Sequence, residues 1–403
     1  MSSSATSGVI QHAPTATRFR LRESASAATR ASGKSLASQM HDILQLSRGF
    51  GGLSPREYYY FGLYDDERFP DEEKRRFIGL GVQSQILWRC TDGQYWAISR
   101  DKLLFAALMA VHGFPLLNTQ AVLHRFRVVP NAQPLRSLGD AAHFLRREAR
   151  FPLFTKPVKG MRSAGSARID GYDASTDELL IVPGHRVRVD AYLASVERYF
   201  DEGYLFQDVQ HPHERIRALC GDRLATVRVV MMVGPDGGVP FRAMWKVPAG
   251  PNVADNFWRA GNILCGLDPA TGRVTRAISG TGTDQVDVAN HPDTGVAIKD
   301  FVIPHWDGLL GMCRDASSVI PGITLQGWDV CITDDGPFLV EVNVGGDFTL
   351  PQLGHAKGML DERFKAYLDT HGFRPSRPAW GLEMMQSLHR HLSPSRERHE
   401  LAT

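Results

Sequence analysis

The sequence predicts an α+β protein with antiparallel sheets and a helical region ahead of them. Two observations carry this. Strand-like runs come in pairs closed by short turns: "TVRVVMMV" and "VPFRAMWKV" across "GPDGG", "NILCGL" and "RVTRAI" across "DPATG", and both halves of "GWDVCITDDGPFLVEVNVGGDF", residues 327–348. Helical patterns lie before and between those pairs, and the combination argues against an alternating parallel architecture.

In chain order, residues 1–35 are rich in Ser, Ala and Arg, with Glu23 the only acid. They read as a disordered leader or as a transit peptide, and lack the apolar core of a secretion signal. Residues 36–98 read as a helical N-terminal region with aromatic patches among charges. "SRDKLLFAALMAVHGFP" is a helix, capped by Ser99 or Asp101 and ended by Gly113 and Pro115. Residues 99–210 then form a first lobe, in which "FPLFTKPV" leads into the Gly/Ser-rich "KGMRSAGSARI", followed by "ELLIVP" and "GYLFQDV". Residues 211–375 form a second lobe holding the three hairpins, the helix "WDGLLGMCRDASSVI" and a late helix closed by Gly372. Residues 376–403 read as a loose tail.

The 403 residues allow roughly two to three domains. A net charge of +2 implies neither nucleic acid nor an anionic membrane as partner. No apolar run approaches the ~20 residues that span a bilayer. Five scattered cysteines, without metal-like spacing, read as reduced thiols of a cytoplasmic protein.

The acidic hairpin is the most informative stretch. It places Asp329, Glu341 and Asn343 in runs that otherwise read as buried strand. Strand alternation puts Glu341 and Asn343 on one face and Val340, Val342 and Val344 on the other. A three-residue loop pairing Thr333 with Pro337 sets Asp329 opposite Glu341, whereas a two-residue turn turns Asp329 to the other face. Two facing carboxylates repel unless neutralised, and a hard divalent cation with oxygen ligands does so. A solvated face of an edge hairpin explains the same pattern.

Lys156 sits in an apolar strand just before the Gly/Ser loop, whose backbone N–H groups can cradle phosphate. The lysine precedes the loop, which excludes a Walker-type phosphate loop, and a surface loop after an edge strand is the alternative. Lys102 opens the capped helix, where an exposed lysine is ordinary. Arg228 lies within an apolar strand and needs a partner or an anionic ligand. Lys246 and Asn256 are less constrained. His211, His213 and His305 show no ligand spacing and read as structural, and no catalytic nucleophile with a base stands out.

Taken in order, "RDKLLF", "HGFPLLNT", "FPLFTKPVKGMRSAGSARI", "YLFQDVQ", "TVRVV", "ADNFWRAGN", "GWDVCITDDGP" and "LVEVN" resemble the ATP-grasp superfamily over residues 90 to 365. Within it "TVRVV", "ADNF", "IPHW" and "GWDVCITDDGPFLVEVN" are similar to the sugar-transfer-associated ATP-grasp group, and "LSPREYYYFGLY" extends the likeness back to residue 45. The resemblance implies the ATP-grasp fold, with a nucleotide between two α+β lobes. It implies Lys102 and Lys156 on the phosphates, and residues 160–166, including Gly160, Ser163 and Gly165, as a mobile phosphate loop. Gln207 takes a hinge position usually held by Glu, beside Asp208 and the backbone of Val209 at the adenine. Glu214 falls at the ribose contact. Asp329, Glu341 and Asn343 match the magnesium ligands, and Arg228, Lys246 and Asn256 the groups near the γ-phosphate. After "EVN" the chain reads "VGGDFTLPQ" instead of the usual Pro-Gly turn, so the acceptor side transfers least.

The activity so implied is an ADP-forming ligase using ATP and two Mg2+ ions, with Mn2+ as the alternative metal. It would activate a small-molecule carboxylate and join it to an amine or other nucleophile. The group name ties the family to polysaccharide and sugar-conjugate synthesis without naming a substrate. A kinase acting on a sugar hydroxyl and a non-catalytic nucleotide-binding regulator are the alternatives.

Overall fold

A computed structural model describes residues 10–11, 19–160 and 163–376. They divide into two compact units. One holds Ile10 and Gln11 with residues 93–280 and 286–347, and the other holds residues 19–92, 281–285 and 348–376.

The first unit contains two seven-stranded sheets among the described residues. Sheet one is built from β1 (Thr119–Leu123), β2 (Gln133–Leu135), β3 (Leu153–Pro157), β4 (Ala167–Asp173), β5 (Glu178–Ile181), β6 (His185–Arg188) and β7 (Tyr204–Asp208). Its order is β2-β1-β7-β3-β4-β5-β6, antiparallel except for the β1–β2 pair. Sheet two is built from β8 (Val227–Gly234), β9 (Gly237–Val247), β10 (Ile263–Leu267), β11 (Val274–Ser279), β12 (Val286–Asp287), β13 (Leu325–Thr333) and β14 (Gly336–Val344). Its order is β12-β11-β10-β9-β8-β13-β14, antiparallel throughout. The fold is the mixed α+β, antiparallel-rich architecture expected.

Each sheet buries one face. On sheet two Val227, Val229, Met231, Ala243, Trp245, Val247 and Trp328 pack with helix Trp306–Ser317. Period-two alternation therefore turns Arg228, Lys246 and Asp329 to the opposite face. On sheet one Leu153, Ile169, Tyr204 and Phe206 pack with helices Leu138–Arg147 and Val189–Val196. Lys156 and Gln207 alternate away from that core. Helix Lys102–Val111 starts at Asp101, whose carboxylate accepts the N–H groups of Leu103 and Leu104 at 3.0 and 3.1 Å. Its Leu103 packs on Val122, Val158 and Leu205 of sheet one's free side, while Phe105 and Met109 join the core of sheet two.

The β13–β14 hairpin departs from the expected three-residue loop. Thr333 pairs with Gly336, so the turn is the two residues Asp334 and Asp335. Asp329 nevertheless lies opposite Glu341, because the register shifts between Asp329 and Val330. Val330 pairs with Leu339 and Asp329 with Glu341, leaving Val340 as an extra bulged residue. The bulge reverses the phase set by the turn. It also puts Leu339 and Val342, three apart, on the core side together.

The second unit is helical. Ser54 and Glu57 form a reciprocal capping box on helix Pro55–Tyr60. Buried Lys74 is surrounded by Asp42, Asp66 and Asp71. Two expected boundaries change. Within the leader, Leu21–Ser32 is a helix, because Ala25 and Ala28 share one buried face and Gly33 at φ +73° closes it. The rest of the leader, residues 1–9 and 12–18, and the tail from 377 lie outside the described residues. The second lobe was expected to run to 375, but residues 348–376 group with the helical unit. Gln352 on helix Thr349–His355 accepts the Ile78 N–H at 2.7 Å and donates to its carbonyl at 3.0 Å.

Candidate functional site

Three strands of sheet two bring the buried charges together. Asp329 on β13 lies in register between Arg228 on β8 and Glu341 on β14. The Arg228 guanidinium donates from Nε to Oδ1 and from a terminal nitrogen to Oδ2 of Asp329, both at 2.7 Å. Lys246 Nζ on β9 donates to Oδ2 at 3.0 Å. All three residues are buried. Burial alone would raise the Asp329 carboxyl, but the charges of Arg228 and Lys246 outweigh it and hold the group well below the usual carboxylate range. Burial likewise opposes the Arg228 charge, and Asp329 overrides it, with Asp347 and Glu341 adding to the effect.

A second set of charges comes from sheet one and its helix. Lys102 Nζ donates to the Gly160 carbonyl at 3.0 Å and lies 3.9 Å from Glu341 Oε2. Lys156, half-buried on β3, points away from Thr155, whose hydroxyl is bonded into a buried cluster with Tyr192 and Tyr204. Burial, then the charge of Lys102, push the Lys156 ammonium down to about 8, while Glu341 pulls the other way. Glu341 thus acts on both Lys156 and Arg228 and lies beside Lys102.

At the end of β7, Gln207 is buried and donates from Nε2 to Thr119 Oγ1 at 3.0 Å, while its Oε1 is buried without a hydrogen-bond partner. Asp208 is committed to neighbours beside the end of β7: Asn118 donates to it at 2.6 Å and Gln120 also bonds it. The Val209 N–H reaches the Pro152 carbonyl at 3.3 Å. Glu214 is exposed at the first turn of helix Glu214–Cys220, where Asp334 accepts its N–H at 2.8 Å.

Gly160 and Gly165 bracket the glycine-rich loop, of which Met161 and Arg162 lie outside the described residues. Ser163 adopts φ +57° and Gly165 φ +78°. A β-carbon on Gly165 would meet Tyr199 Oη at 2.5 Å, so only glycine fits there. Gly165 was expected to offer its amide to phosphate. Its N–H instead donates to the Gln11 carbonyl at 2.7 Å, and its carbonyl accepts Tyr204 Oη at 2.7 Å. It anchors the loop and presents no free amide.

Asn256 lies in the segment between β9 and β10. Asp255 fixes that segment by accepting the Thr226 N–H at 2.7 Å, and Asn262 Nδ2 donates to the carbonyls of Ala254 and Asn256 at 2.9 and 2.8 Å. Asn256 Oδ1 accepts the Trp258 N–H at 3.0 Å, and its Nδ2 is buried without a partner.

Arg228, Lys246 and Asp329 are therefore in direct contact, and Lys102 and Glu341 are close. Asn343 stands two residues along β14 from Glu341 and donates to the Gly327 carbonyl at 3.4 Å. Among the described residues no group of three or more His, Cys, Asp or Glu is arranged to hold a metal ion. Sequence reasoning missed Thr119, Thr226, Asp255 and Asp347. Of these, "TVRVV" and "ADNF" contain Thr226 and Asp255, and the pairing of the two signatures was the available signal.

Residues 92–366 match the family described as sugar-transfer associated ATP-grasp. The chain belongs to that family. Among solved structures, it is similar to an L-amino acid ligase from Bacillus licheniformis at 13% identity, covering 65% of this chain and 44% of that one, with a TM-score of 0.34. A D-alanine–D-alanine ligase from Helicobacter pylori is 11% identical over 73% of this chain and 69% of its own, with a TM-score of 0.40. One from Bacillus anthracis is 13% identical over 72% and 76%, with a TM-score of 0.37. The chain spans less than half the length of the L-amino acid ligase. No curated protein matches. This ATP-grasp chain has no helix, among the described residues, long and apolar enough to cross a membrane.

Proposed function

We propose that this ATP-grasp protein is an enzyme that binds ATP between its two sheets and uses it to activate a carboxylate. An amine or another nucleophile then displaces the phosphate, with ADP and phosphate released. The observation that carries the proposal is the gathering of four cations, Lys156 of sheet one, Lys102 of the helix beside it, and Arg228 and Lys246 of sheet two, around Asp329, Glu341 and Asp347. The cations outnumber the carboxylates, so an anion completes the balance. Transfer of a γ-phosphoryl group needs positioning and charge neutralisation more than a protein nucleophile.

The residues fit a nucleotide. Gln207 Oε1 is a buried acceptor without a donor, and the exocyclic amine of adenine is a donor. Asn256 Nδ2 is a buried donor that suits a phosphate or carboxylate oxygen. Lys156 and Lys102 would take the phosphates, with Glu214 on the ribose. Arg228 and Lys246, held in place by Asp329, would face the transferring group and the developing acyl phosphate.

The metal set fits in reduced form. ATP-grasp enzymes generally use Mg2+, which here would neutralise phosphate oxygens. Asp329 spends both oxygens on Arg228 and Lys246, leaving Glu341 and Asn343 as the better ligands. Magnesium suits such a site, since it keeps water and phosphate oxygens as most of its ligands. Asp329 is better read as the group that orients the two cations.

The test is ADP release against pooled carboxylates, amines and sugars. ADP and phosphate formed together only when carboxylate and nucleophile are both present is the expected result. ADP with a phosphorylated hydroxyl would make the protein a kinase. Tight ATP binding with no ADP release across the panel would make it a regulator.

A further inference from the structure

The glycine-rich loop is held at both ends by residues distant in sequence. At its entry, Lys102 Nζ donates to the Gly160 carbonyl. At its exit, the Gln11 N–H donates to the Ser166 carbonyl at 2.8 Å, and Gln11 accepts the Gly165 N–H at 2.7 Å. These two bonds tie Gln11 to consecutive residues of the loop exit, from a segment more than a hundred residues away. Ile10 seats the segment: it is 6% exposed and belongs to the core shared by Leu153, Ala167 and Tyr204. From inside the core, Tyr204 Oη takes the Gly165 carbonyl. Both backbone groups of Gly165 are thereby satisfied without a ligand.

We infer that Ile10 and Gln11 are positioning residues of the nucleotide site, forming a strap that holds the exit of the glycine-rich loop in its binding form. The inference rests on the nucleotide reading given above. Ser163 at φ +57° and Gly165 at φ +78° are conformations a free chain samples among many. Without the strap the loop has to be ordered when phosphate binds, and that entropy opposes binding. With the strap the exit is already set before phosphate binds. The strap acts through main-chain atoms. Its bonds to the loop are to the main chain of Gly165 and Ser166, so it alters the fraction of loop that is competent and leaves the chemical step alone.

Three variants of the full chain test this. Gln11→Pro removes the N–H given to Ser166, and Ile10→Asp unseats the anchor. Gln11→Ala keeps every main-chain bond. Deuterium exchange at Gly165, Ser166 and Ala167 is read without nucleotide, ATP affinity by calorimetry, and kcat at saturating ATP. Gln11→Pro and Ile10→Asp are expected to speed exchange at Gly165 and weaken ATP about fivefold to tenfold, with kcat unchanged. Gln11→Ala should match the parent in all three. Faster exchange with ATP affinity unchanged overturns the inference, and so does exchange that stays slow in both disrupted variants. Failure of the parent protein to bind ATP would instead remove the nucleotide reading, and this inference with it, whatever the exchange shows. Should Ile10→Asp not fold, Gln11→Pro decides alone.

Discussion

Arg228 and Asp329 stand opposite each other on neighbouring strands and share two hydrogen bonds of 2.7 Å. The pair is buried, and Lys246 adds a third bond to the same carboxylate. Asp329 is shared between two cations, and Asp347 and Glu341 also act on Arg228. A buried ion set of this kind is held together by its internal hydrogen bonds, so removing one member leaves the others uncompensated.

Asp329→Asn should destabilise the fold strongly. The amide cannot balance Arg228 and Lys246, and breaking a buried pair in this way costs roughly 3–5 kcal/mol. Urea unfolding at neutral pH measures it, and a loss below about 1 kcal/mol would mean that water already reaches the cluster. The sign with pH follows from the depressed carboxyl. Its contribution is complete above the ordinary unfolded value near 4 and is lost as pH falls below that toward the folded value. Asp329→Asn should therefore flatten the acid limb of the stability curve.

Glu341→Gln separates metal binding from folding. Glu341 is only partly buried, and Lys102 lies 3.9 Å from it. Unfolding stability should stay within about 0.5 kcal/mol of the parent. Binding of Mn2+, followed by electron paramagnetic resonance in the presence of a non-hydrolysable ATP analogue, should weaken at least about tenfold. Unaltered Mn2+ affinity would take Glu341 out of the metal site.

Much of this arrangement was legible in the sequence, and the failures have physical causes. Arg228 was visible as a charge in an apolar strand that needed a partner. Its partner lies 101 residues on and had been given to the metal instead. Nothing local links the two, because cross-strand pairing is a long-range property. The facing of Asp329 and Glu341 was foreseen through a three-residue loop. The actual route is a two-residue turn and a bulge at Val340. A valine in a run of β-formers gives a bulge no local mark. One clue was present: strict alternation would have placed Leu339 on the same face as Glu341. The anchoring of the exit of the glycine-rich loop was out of reach for a similar reason. Gly165 is required by contact with Tyr199 and by its backbone conformation, and sequence alone cannot tell that use of glycine from phosphate binding.

Gln207→Leu should have opposite effects on folding and on nucleotide. The substitution removes a buried oxygen that has no donor, which favours the native state, and also removes the bond to Thr119, which opposes it. The net change in unfolding free energy should stay within about 1 kcal/mol. ATP affinity should fall about tenfold, since one buried acceptor for the base is lost. An ATP affinity equal to the parent's would place the base elsewhere.

Lys156 supplies the pH dependence. Burial first, and the charge of Lys102 second, push its ammonium down to about 8. Phosphate favours the charged form, so ATP binding is strongest where Lys156 is already protonated. ATP affinity should be flat well below pH 8 and fall about tenfold per unit above it, until the value reached in the complex is passed. Lys156→Arg stays charged throughout, so its affinity should be independent of pH across the same range. Stability moves the other way. Unfolding returns the lysine to its ordinary value near 10.4, so between about 8 and 10.4 the unfolded chain holds more protons than the native one. The Lys156 contribution to native stability therefore rises with pH across that window, and Lys156→Met should remove the rise. Calorimetric titration with ATP from pH 6.5 to 9.5, run on the parent and on Lys156→Arg, decides the matter. Parallel pH profiles in the two proteins would show that a different group, and not Lys156, meets the phosphates.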